Sequence, residues 1–386
     1  MTSEEERKRR VTAEVVRGGP EIVGDLAPEW RELCDASGDP LPFTRPEWVE
    51  AYFRCNDKAR RFHILTVRID GKLKAVLPLI ERKHKLSHIP ANIFRGPSDF
   101  NLWPSDIPIA GEPERQMVAK ELWGLIRNLG EWDVIELPNI PLGGAAEDFL
   151  KAATDDGFPS HRWEYMHSPF IRLAECAGTE NPADIAVSSH LRKHLRQIIR
   201  KTEKEGGIKV LFSDKFDSAL LGQLYEMEAS GWKGESGNAI LLREKERRFH
   251  DEIATAAQNF GYLSLHALEL KGHVVAIALG FNYKKRYFGM KMGWDQNLKS
   301  YSLGHLLVHA ILNDCLSHGI TELHLMGLRS DWKEKWTKNT LPHSTCYIFR
   351  KGLYGKVTRK AKLRSISNTI NTFSIQSEHL GGDGTG

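Results

Sequence analysis

The feature that most restricts how this sequence can fold is a repeat of one element order in its two halves. Residues 62–76 predict two strands joined by a tight glycine-containing turn, and residues 263–277 predict the same hairpin. Farther along, residues 125–137 and 313–325 each predict the end of a helix, a capping glycine and a buried strand. Such units are common separately, but their recurrence in the same order favours the duplication of one α/β module.

A polar stretch at residues 175–184, broken by Asn181-Pro182, predicts the boundary between the two modules. The boundary gives four segments: a disordered N-terminus over residues 1–14, an N-terminal module over 15–180, a C-terminal module over 181–350, and a basic, partly disordered tail over 351–386. The tail is basic because residues 350–364 contain Lys and Arg but no Asp or Glu. Its end is expected to be disordered because it is rich in glycine.

Composition excludes several classes of protein. Lys and Arg number 54 against 50 Asp and Glu, so the net charge of +4 does not indicate a heavily basic nucleic-acid coat protein. No apolar run approaches the ~18–20 residues of a membrane-spanning helix, and no secretory signal is visible. Five scattered cysteines without a Cys-x-x-Cys pair predict free thiols in a reducing cytoplasm.

Motifs for three large enzyme classes are missing from the sequence. It contains no Gly-x-x-x-x-Gly-Lys-Ser/Thr, Gly-x-Gly-x-x-Gly or Gly-x-Ser-x-Gly segment, which argues against a P-loop NTPase, a simple Rossmann dehydrogenase and an α/β-hydrolase. His190 and His194 fall on one helix face, but no third ligand accompanies them, so we expect no metal site.

The helix predicted after Ser188 carries an apolar stripe and a basic stripe. The apolar stripe comprises Leu191, Leu195, Ile198 and Ile199, and the basic stripe comprises Arg192, Arg196, Arg200 and Lys204. Like charges four residues apart repel each other. The basic stripe is therefore either a solvated face or a surface that binds an anionic partner.

Three further segments carry residues suited to a site. The glycine-rich turn at residues 231–237 contains Trp232 and Lys233, which form either a clamp over a substrate or a helix end with a packed Trp. The strand, loop and helix at residues 287–307 place Ser302 and Gly304 in a first helical turn, where free N–H groups suit a phosphate, although a plain Ser N-cap also fits. The Trp- and Lys-rich residues 331–336 either line a pocket or close the core.

The order of these motifs resembles that of the GNAT acyltransferases of the CelD/BcsL type, which is named for an association with cellulose biosynthesis. These enzymes are similar to the Fem-type transferases, which also contain two tandem GNAT modules. The motifs are the basic residues at 188–196, Trp232-Lys233-Gly234 with Gly237, residues 276–281, Gly293-Trp294-Asp295, Ser302-x-Gly304 and Lys333-x-x-Trp336. The resemblance implies an α/β (α+β) fold of two tandem GNAT-like modules, each a mixed, splayed β-sheet flanked by helices. It also implies that the C-terminal module is active, whereas the N-terminal module is a degenerate scaffold that forms half of the acceptor cleft.

The resemblance further implies acyl-CoA as the donor substrate and no metal. The pantetheine would pair with the strand at residues 286–293, and the pyrophosphate would bind at residues 301–306. The donor-binding residues carried over are Lys291, Met292, Gly293, Tyr301, Ser302, Leu303 and Gly304. The usual loop Gln/Arg-x-x-Gly-x-Gly/Ala is only partly present at residues 299–304. Fem-type enzymes have a similarly degenerate loop and use aminoacyl-tRNA, so an aminoacyl-tRNA donor is the alternative.

The implied chemistry is attack of an amine, or of a hydroxyl, on the thioester carbonyl. An ammonium with a pKa near 10 must first lose a proton, and the candidates for this base are Glu228, Asp295 and His305. His305 is alternatively a satisfied, partly buried histidine. Tyr283 or Tyr301 would protonate the leaving group. The residues expected to bind the acceptor are Arg192, Arg196, Trp232, Lys233, Gly237, Lys333 and Trp336.

The acceptor is expected to be a small molecule or a carbohydrate or peptide precursor. The basic helix and tail are candidate surfaces for an anionic partner, either tRNA or a membrane surface. A third possibility is a non-catalytic GNAT-fold protein that binds such a partner through residues 350–364.

Overall fold

The computed structural model describes residues 10–38, 41–55, 61–98, 103–174, 188–231, 237 and 239–380. In the last helix, the side chains are described as far as Ser367.

Within the described residues, each half of the chain contributes six strands. They are β1 (Val11–Gly18), β2 (Arg61–Ile69), β3 (Lys72–Leu86), β4 (Ile89–Arg95), β5 (Val134–Pro141), β6 (Ser160–Arg172), β7 (Ile208–Ser213), β8 (Leu263–Leu270), β9 (His273–Tyr283), β10 (Arg286–Trp294), β11 (Glu322–His324) and β12 (Thr340–Phe349). The helices are α1 (Ala27–Ala36), α2 (Pro46–Cys55), α3 (Arg115–Leu129), α4 (Ala146–Asp155), α5 (Ser189–Glu203), α6 (Ser218–Ala229), α7 (Glu244–Asn259), α8 (Leu303–Ser317), α9 (Asp331–Glu334) and α10 (Leu353–Leu380).

The strands form one mixed sheet in the order β1-β2-β3-β4-β5-β12-β6-β11-β10-β9-β8-β7. The pairs β4–β5 and β10–β11 are parallel, and the other pairs are antiparallel. Strands β1 to β6 therefore correspond in order to β7 to β12. The predicted fold class, a mixed sheet flanked by helices and built by duplication, is confirmed.

The turns of the repeated units have matching backbone conformations. Asp70-Gly71 and Lys271-Gly272 both have two positive φ angles, 50° and 81° in the first turn and 53° and 80° in the second. That conformation defines the tight hairpin turn whose twist matches its strands. Gly130 and Gly319, which follow α3 and α8, both have φ of 65°, the left-handed conformation that ends a helix.

The two halves exchange their last strands. Strand β6 belongs to the first half but pairs with β11 of the second, and β12 belongs to the second half but pairs with β5 of the first. Strands β6 and β12 also pair with each other in the middle of the sheet. The segments 15–180 and 181–350 are thus successive in sequence, but each completes the sheet of the other.

The described parts of the two terminal segments contain regular secondary structure, whereas residues 1–9 and 381–386 lie outside the described residues. Strand β1 begins at Val11, within the residues expected to be disordered, and pairs with β2 along its whole length. Residues 353–380 form α10, where a partly disordered tail was expected. Helix α10 is held because Ala361 and Ile366 are buried in an apolar cluster with Leu86 and Phe349.

One core joins the two halves on the face covered by α1, α2, α6 and α7. Trp48 of α2 lies 5.8 Å from Phe249 of α7 and 5.2 Å from Phe281 of β9, measured between ring centroids. Polar groups are buried at the same interface, where Tyr262 donates a hydrogen bond to Glu47 across 3.0 Å. Cysteines 34, 55, 315 and 346 are buried free thiols, as predicted, and Cys176 lies outside the described residues.

Candidate active site

The sheet opens between the parallel strands β10 and β11. Their ladder joins residues 286–288 to residues 322–324 and then stops. Strand β10 continues to Trp294, paired with β9 and carrying a bulge between Gly289 and Lys291. The chain after β11 turns away through Met326 and Gly327, whose φ angles are 53° and 61°. The remaining edge of β10 therefore presents main-chain donors and acceptors of the kind that bind an extended ligand.

The N-terminus of α8 follows this open edge in the sequence. Ser302, which precedes the helix, has a left-handed backbone, and its carbonyl accepts hydrogen bonds from the amides of His305 and Leu306 at 2.9 and 3.2 Å. The amides of Leu303 and Gly304 come earlier in the helix and have no intrahelical acceptor. Free amides at a helix start attract anions.

Basic side chains of α5 flank this helix start. His194 Nε2 lies 3.0 Å from Ser302 Oγ. Lys201 donates a hydrogen bond to Ser300 Oγ across 2.9 Å, and its ammonium lies 4.0 Å from the centre of the Tyr301 ring. The predicted apolar stripe of α5 is confirmed, because Leu191, Leu195 and Ile198 are buried. The basic stripe faces outward, with Arg196 exposed and Arg192 half-buried.

A buried group of charges lies beside the donor strand. Lys291 Nζ of β10 is 3.2 Å from Glu246 Oε1 of α7 and 3.7 Å from Glu228 Oε1 of α6. The side chains of these three residues are 9%, 5% and 4% exposed, respectively. Glu228 Oε2 also accepts a hydrogen bond from the amide of Ile240 at 3.0 Å. The predicted base Glu228 is therefore already paired.

Glu246 was not predicted from the sequence. Its Oε2 is buried without a hydrogen-bond donor among the described residues, and Arg243 Nη1 lies 3.5 Å from it. Residues 243–246 line a surface depression next to this group. In the sequence, Glu246 stands in a run of charges that is typical of a solvated helix face, so only its burial distinguishes it.

His305 is a neutral hydrogen-bonding residue in this structure. Trp336 Nε1 donates to His305 Nδ1 across 3.0 Å, which leaves the ring proton on Nε2. Burial lowers the pKa of His305 to about 4, and the charges of Lys335 and His194 act in the same direction. The ring can donate a hydrogen bond from Nε2, but its acceptor nitrogen is occupied. The interpretation as a satisfied, partly buried histidine fits this geometry better than a general base.

The other proposed acid–base residues are engaged elsewhere. Tyr283 of β9 pairs with Arg286 at the start of β10, whereas Ala276 of β9 pairs with Trp294 at the end of β10. Tyr283 is therefore seven residues, or about 23 Å, from the position opposite Trp294. Its hydroxyl accepts from Arg45 at 3.2 Å and donates to Asp35 at 3.3 Å. These contacts do not favour a role for Tyr283 at the leaving group, which stays a prediction.

Asp295 and Tyr301 have local partners. Asp295 Oδ1 accepts a hydrogen bond from the amide of Asn297 at 2.8 Å and thereby caps the short helix Gln296–Tyr301. Its carboxylate serves as a cap, where a base was expected. The Tyr301 hydroxyl donates to Glu205, a hydrogen bond that raises the pKa of Tyr301.

Several residues expected to bind ligands serve packing. The Lys333 ammonium donates to the carbonyls of Met326 and Leu328, the latter at 2.9 Å, and so fixes the turn after β11. Trp336 is buried. A Cβ on Gly293 would lie 2.9 Å from Met227 Cβ, and one on Gly304 would lie 3.3 Å from the Trp294 ring, so both glycines permit close packing.

Three residues expected to bind the acceptor lie in sequence between α6 and α7. Gly237 is exposed, and its φ is 68°. Trp232 and Lys233 lie outside the described residues. Their proposed contact with a substrate stays a prediction.

The equivalent opening in the first half contains the chain itself. The parallel ladder of β4 and β5 joins residues 93–95 to residues 134–136. Beyond it, the Ser105 amide donates to the Asn139 carbonyl at 3.1 Å, and the Val76 amide donates to the Pro108 carbonyl at 3.0 Å. Residues 105–110 thus lie between β3 and β5. In the second half, the corresponding space holds the end of β10 and its open edge.

A mixed sheet that opens between two parallel strands, with a helix N-terminus after the open strand, defines the GNAT class of acyltransferase fold. Residues 189–334 match the family model described as "Acetyltransferase (GNAT) domain". This match covers most of the second half of the duplicated fold, from α5 to α9, and includes the opening. A search of the curated proteins finds no match.

Solved structures share the fold over most of the chain. FemX is 12% identical, with a TM-score of 0.59 over 89% of this chain and 100% of that one. The C-terminal domain of an Agrobacterium fabrum protein named for lysylphosphatidylglycerol synthesis is 12% identical, with a TM-score of 0.53 over 90% and 97%. A Bacteroides thetaiotaomicron protein of unknown function is 10% identical, with a TM-score of 0.51 over 79% and 90%. At these identities, the likeness concerns the fold alone.

The described residues offer neither a metal site nor a membrane-spanning helix. They contain no group of three or more His, Cys, Asp or Glu side chains arranged to hold a metal ion. None of the helices in that part of the chain is sufficiently long and apolar to cross a membrane.

Proposed function

We propose that this chain is an acyltransferase whose second module transfers an acyl group from acyl-CoA to an amine. The observation that carries the proposal is the open edge of β10, which leads directly to the N-terminus of α8. An extended pantetheine needs a free strand edge, and a pyrophosphate needs hydrogen-bond donors and positive charge. The second module offers both in sequence order, and its match to the GNAT acetyltransferase family supports the same reading.

The donor would lie along the main chain of Lys291, Met292 and Gly293. Its pyrophosphate would meet the amides of Leu303 and Gly304, with His194 and Lys201 nearby as donors. These groups would supply the hydrogen-bond donors and positive charge that the incomplete Gln/Arg-x-x-Gly-x-Gly/Ala loop does not provide. Ser302 contributes through its left-handed backbone, which directs the following amides outward from the helix start.

Glu246 is the base that the geometry favours. In the proposed step, the acceptor ammonium gives one proton to the Glu246 carboxylate, and the neutral nitrogen attacks the thioester carbon. The C–N bond forms, the C–S bond breaks, and the second proton of the nitrogen passes to the departing thiolate. Glu246 then releases its proton to water. Lys291 holds the carboxylate in place and supplies positive charge beside the carbonyl.

The acceptor is proposed to be an amine on a small molecule or on a carbohydrate or peptide precursor. The resemblance to the CelD/BcsL type suggests these classes of acceptor. The charged depression at residues 243–246 would admit a polar acceptor. The first module is proposed to act as a scaffold, since its own chain fills the equivalent opening.

The test measures free thiol released when the full chain meets acetyl-CoA or longer acyl-CoA thioesters and a panel of amines. We expect release that requires both substrates. Glu246→Gln should lower kcat by about 100-fold, because general-base catalysis contributes that order, while acyl-CoA still raises the melting temperature. The exposed Glu226 of α6 provides the matched control, Glu226→Gln, which should keep the wild-type rate. Folded protein that releases no thiol with any pair would refute the acyl-CoA proposal, and a wild-type rate for Glu246→Gln would refute the role of Glu246.

A second candidate donor is aminoacyl-tRNA. It is favoured by the exposed cations Arg196, Arg200 and Lys204 of α5, next to the proposed phosphate site, and by the fold shared with FemX. Binding of charged tRNA should weaken steeply as salt rises, and Arg196→Ala with Arg200→Ala should reduce the slope of that dependence by about two. A flat salt response would exclude this donor.

A further inference from the structure

Over residues 353–367, where its side chains are described, helix α10 has one face that packs on the protein and one that is exposed. Its buried side comprises Gly355, Thr358, Ala361 and Ile366. These residues face strands β3, β4 and β12, where Leu86, Ala91 and Phe349 complete the apolar cluster. The acyl-transfer site proposed above uses no residue of this helix.

The outer face combines apolar and basic side chains. Leu353, Lys356, Val357, Lys360 and Arg364 follow one another at i, i+3, i+4, i+7 and i+11, the spacing of a single helix face. Leu353 is 82% exposed and Val357 46% exposed, and neighbouring Tyr354 is 47% exposed. Large aliphatic side chains exposed to this degree on the same face as cations are typical of helices that lie on a lipid surface.

The charge around this face has one sign. Residues 350–364 contain seven Lys and Arg and no Asp or Glu, in a protein whose net charge is only +4. Arg350 and Lys351 donate to main-chain carbonyls of Gly130 and Asp156 at 2.7 and 2.6 Å, and Lys362 binds Glu136 at 3.0 Å. These contacts fix the start and the inner side of α10. Lys356, Arg359, Lys360 and Arg364 are exposed.

We propose that the outer face of α10 binds an anionic lipid surface. Leu353 and Val357 would enter the boundary between headgroups and acyl chains, and Lys356, Lys360 and Arg364 would meet lipid phosphates. A nucleic acid would use the same cations but would leave the exposed Leu353 and Val357 without partners, so the apolar pair favours lipid. Three or four cations with two apolar side chains give reversible attachment, which suits a protein that exchanges between the surface and solution.

The experiment is sedimentation of the full chain with vesicles of phosphatidylcholine alone or with about 30% phosphatidylglycerol, whose negative surface attracts basic residues. We expect pelleting with the anionic vesicles only, and we expect it to fall as salt rises. Changing Lys356, Lys360 and Arg364 together to Glu should lower the partition coefficient at least about tenfold. The matched control changes the exposed Lys72, Lys120 and Lys215 to Glu. It alters the net charge equally and should leave pelleting unchanged.

A further variant separates lipid from nucleic acid. Leu353→Ser with Val357→Ser keeps every charge and should lower vesicle binding at least about tenfold, because both exposed aliphatic side chains lose their apolar contact with lipid. Any binding to RNA should stay unchanged. Melting temperatures of all variants show that they are folded. Equal pelleting with both vesicle types, equal loss in the control variant, or RNA binding without vesicle binding would overturn the proposal.

Discussion

At the residue level, burial determines which charged side chain can act in the site. Glu246 and Glu244 both belong to the charge run at residues 243–248, but only Glu246 is buried, against Lys291. Periodicity predicts that an apolar stripe is buried, and it does not identify a carboxylate that tertiary packing encloses. Glu228 was among the candidate bases named from the sequence. Glu246 was missed because its neighbours in sequence are all charged.

Tyr283 and Asp295 are two candidates whose side chains have partners elsewhere. Each lies close in sequence to the candidate donor strand. Strand pairing separates Tyr283 from the opening, and a local cap occupies Asp295. Closeness along a strand is a poor guide to function because each residue advances the chain by about 3.3 Å.

A buried histidine predicts how stability changes with pH. His343 is fully buried, and this burial, with a smaller contribution from His324, lowers the pKa of its imidazole to about 4. Between about pH 6.5 and pH 4 the unfolded chain binds the proton and the folded chain does not. The free energy of unfolding should therefore fall with decreasing pH in this window, by at most about 3 kcal/mol for this group.

Urea unfolding of His343→Gln at several pH values tests this expectation. The variant should lose part of the slope between pH 6.5 and 4, whatever its stability at neutral pH. His273→Gln, at an exposed position, serves as the control and should keep the wild-type slope. A slope that His343→Gln leaves unchanged would mean that His343 takes up its proton in the folded state.

At the level of elements, the packing of α6 on β10 fixes the donor strand. A Cβ on Gly293 would lie 2.9 Å from Met227 Cβ and 3.0 Å from two main-chain atoms of α6. Gly293→Ala should therefore force the helix outward and cost about 1–3 kcal/mol of unfolding free energy. It should also weaken acyl-CoA binding, since the strand edge moves with the helix.

Gly222 provides the control for this substitution on α6 itself. A Cβ there meets no atom within 4 Å, and Ala is favoured over Gly in a helix by about 1 kcal/mol. Gly222→Ala should raise the unfolding free energy, as measured in urea, and leave donor binding unchanged. If Gly293→Ala were as stable as the wild-type protein, the close approach of α6 to β10 would be wrong.

The elements that the sequence predicted best are those with local signals. Gly71, Gly272, Gly130 and Gly319 mark turns and helix ends by their own backbone requirements, and all four adopt positive φ. The exchange of β6 and β12 was not predicted, because strand propensity and alternation do not specify which strand becomes the neighbour. Helix α10 was missed because its low apolar content resembles a disordered tail.

At the level of the whole molecule, the exchanged strands make the two modules one folding unit. Strand β12 is hydrogen-bonded to β5 and β6, so it completes both halves of the sheet. Deleting residues 340–386 should abolish the thermal unfolding transition of the entire chain. Deleting only residues 368–386 should preserve it, because Ala361 and Ile366 remain packed. Calorimetry distinguishes these outcomes, and a folded first module after the longer deletion would show that the halves are independent.

The two modules differ in whether the opening in their part of the sheet is filled. Two modules share one strand order, but residues 105–110 fill the opening of the first, and β10 keeps its free edge in the second. The most direct test is calorimetric titration of the full chain with acetyl-CoA. We predict one binding site per chain, and we expect Gly293→Ala to weaken it. Two equivalents per chain would contradict the closed first module, and no binding would contradict the donor site in the second.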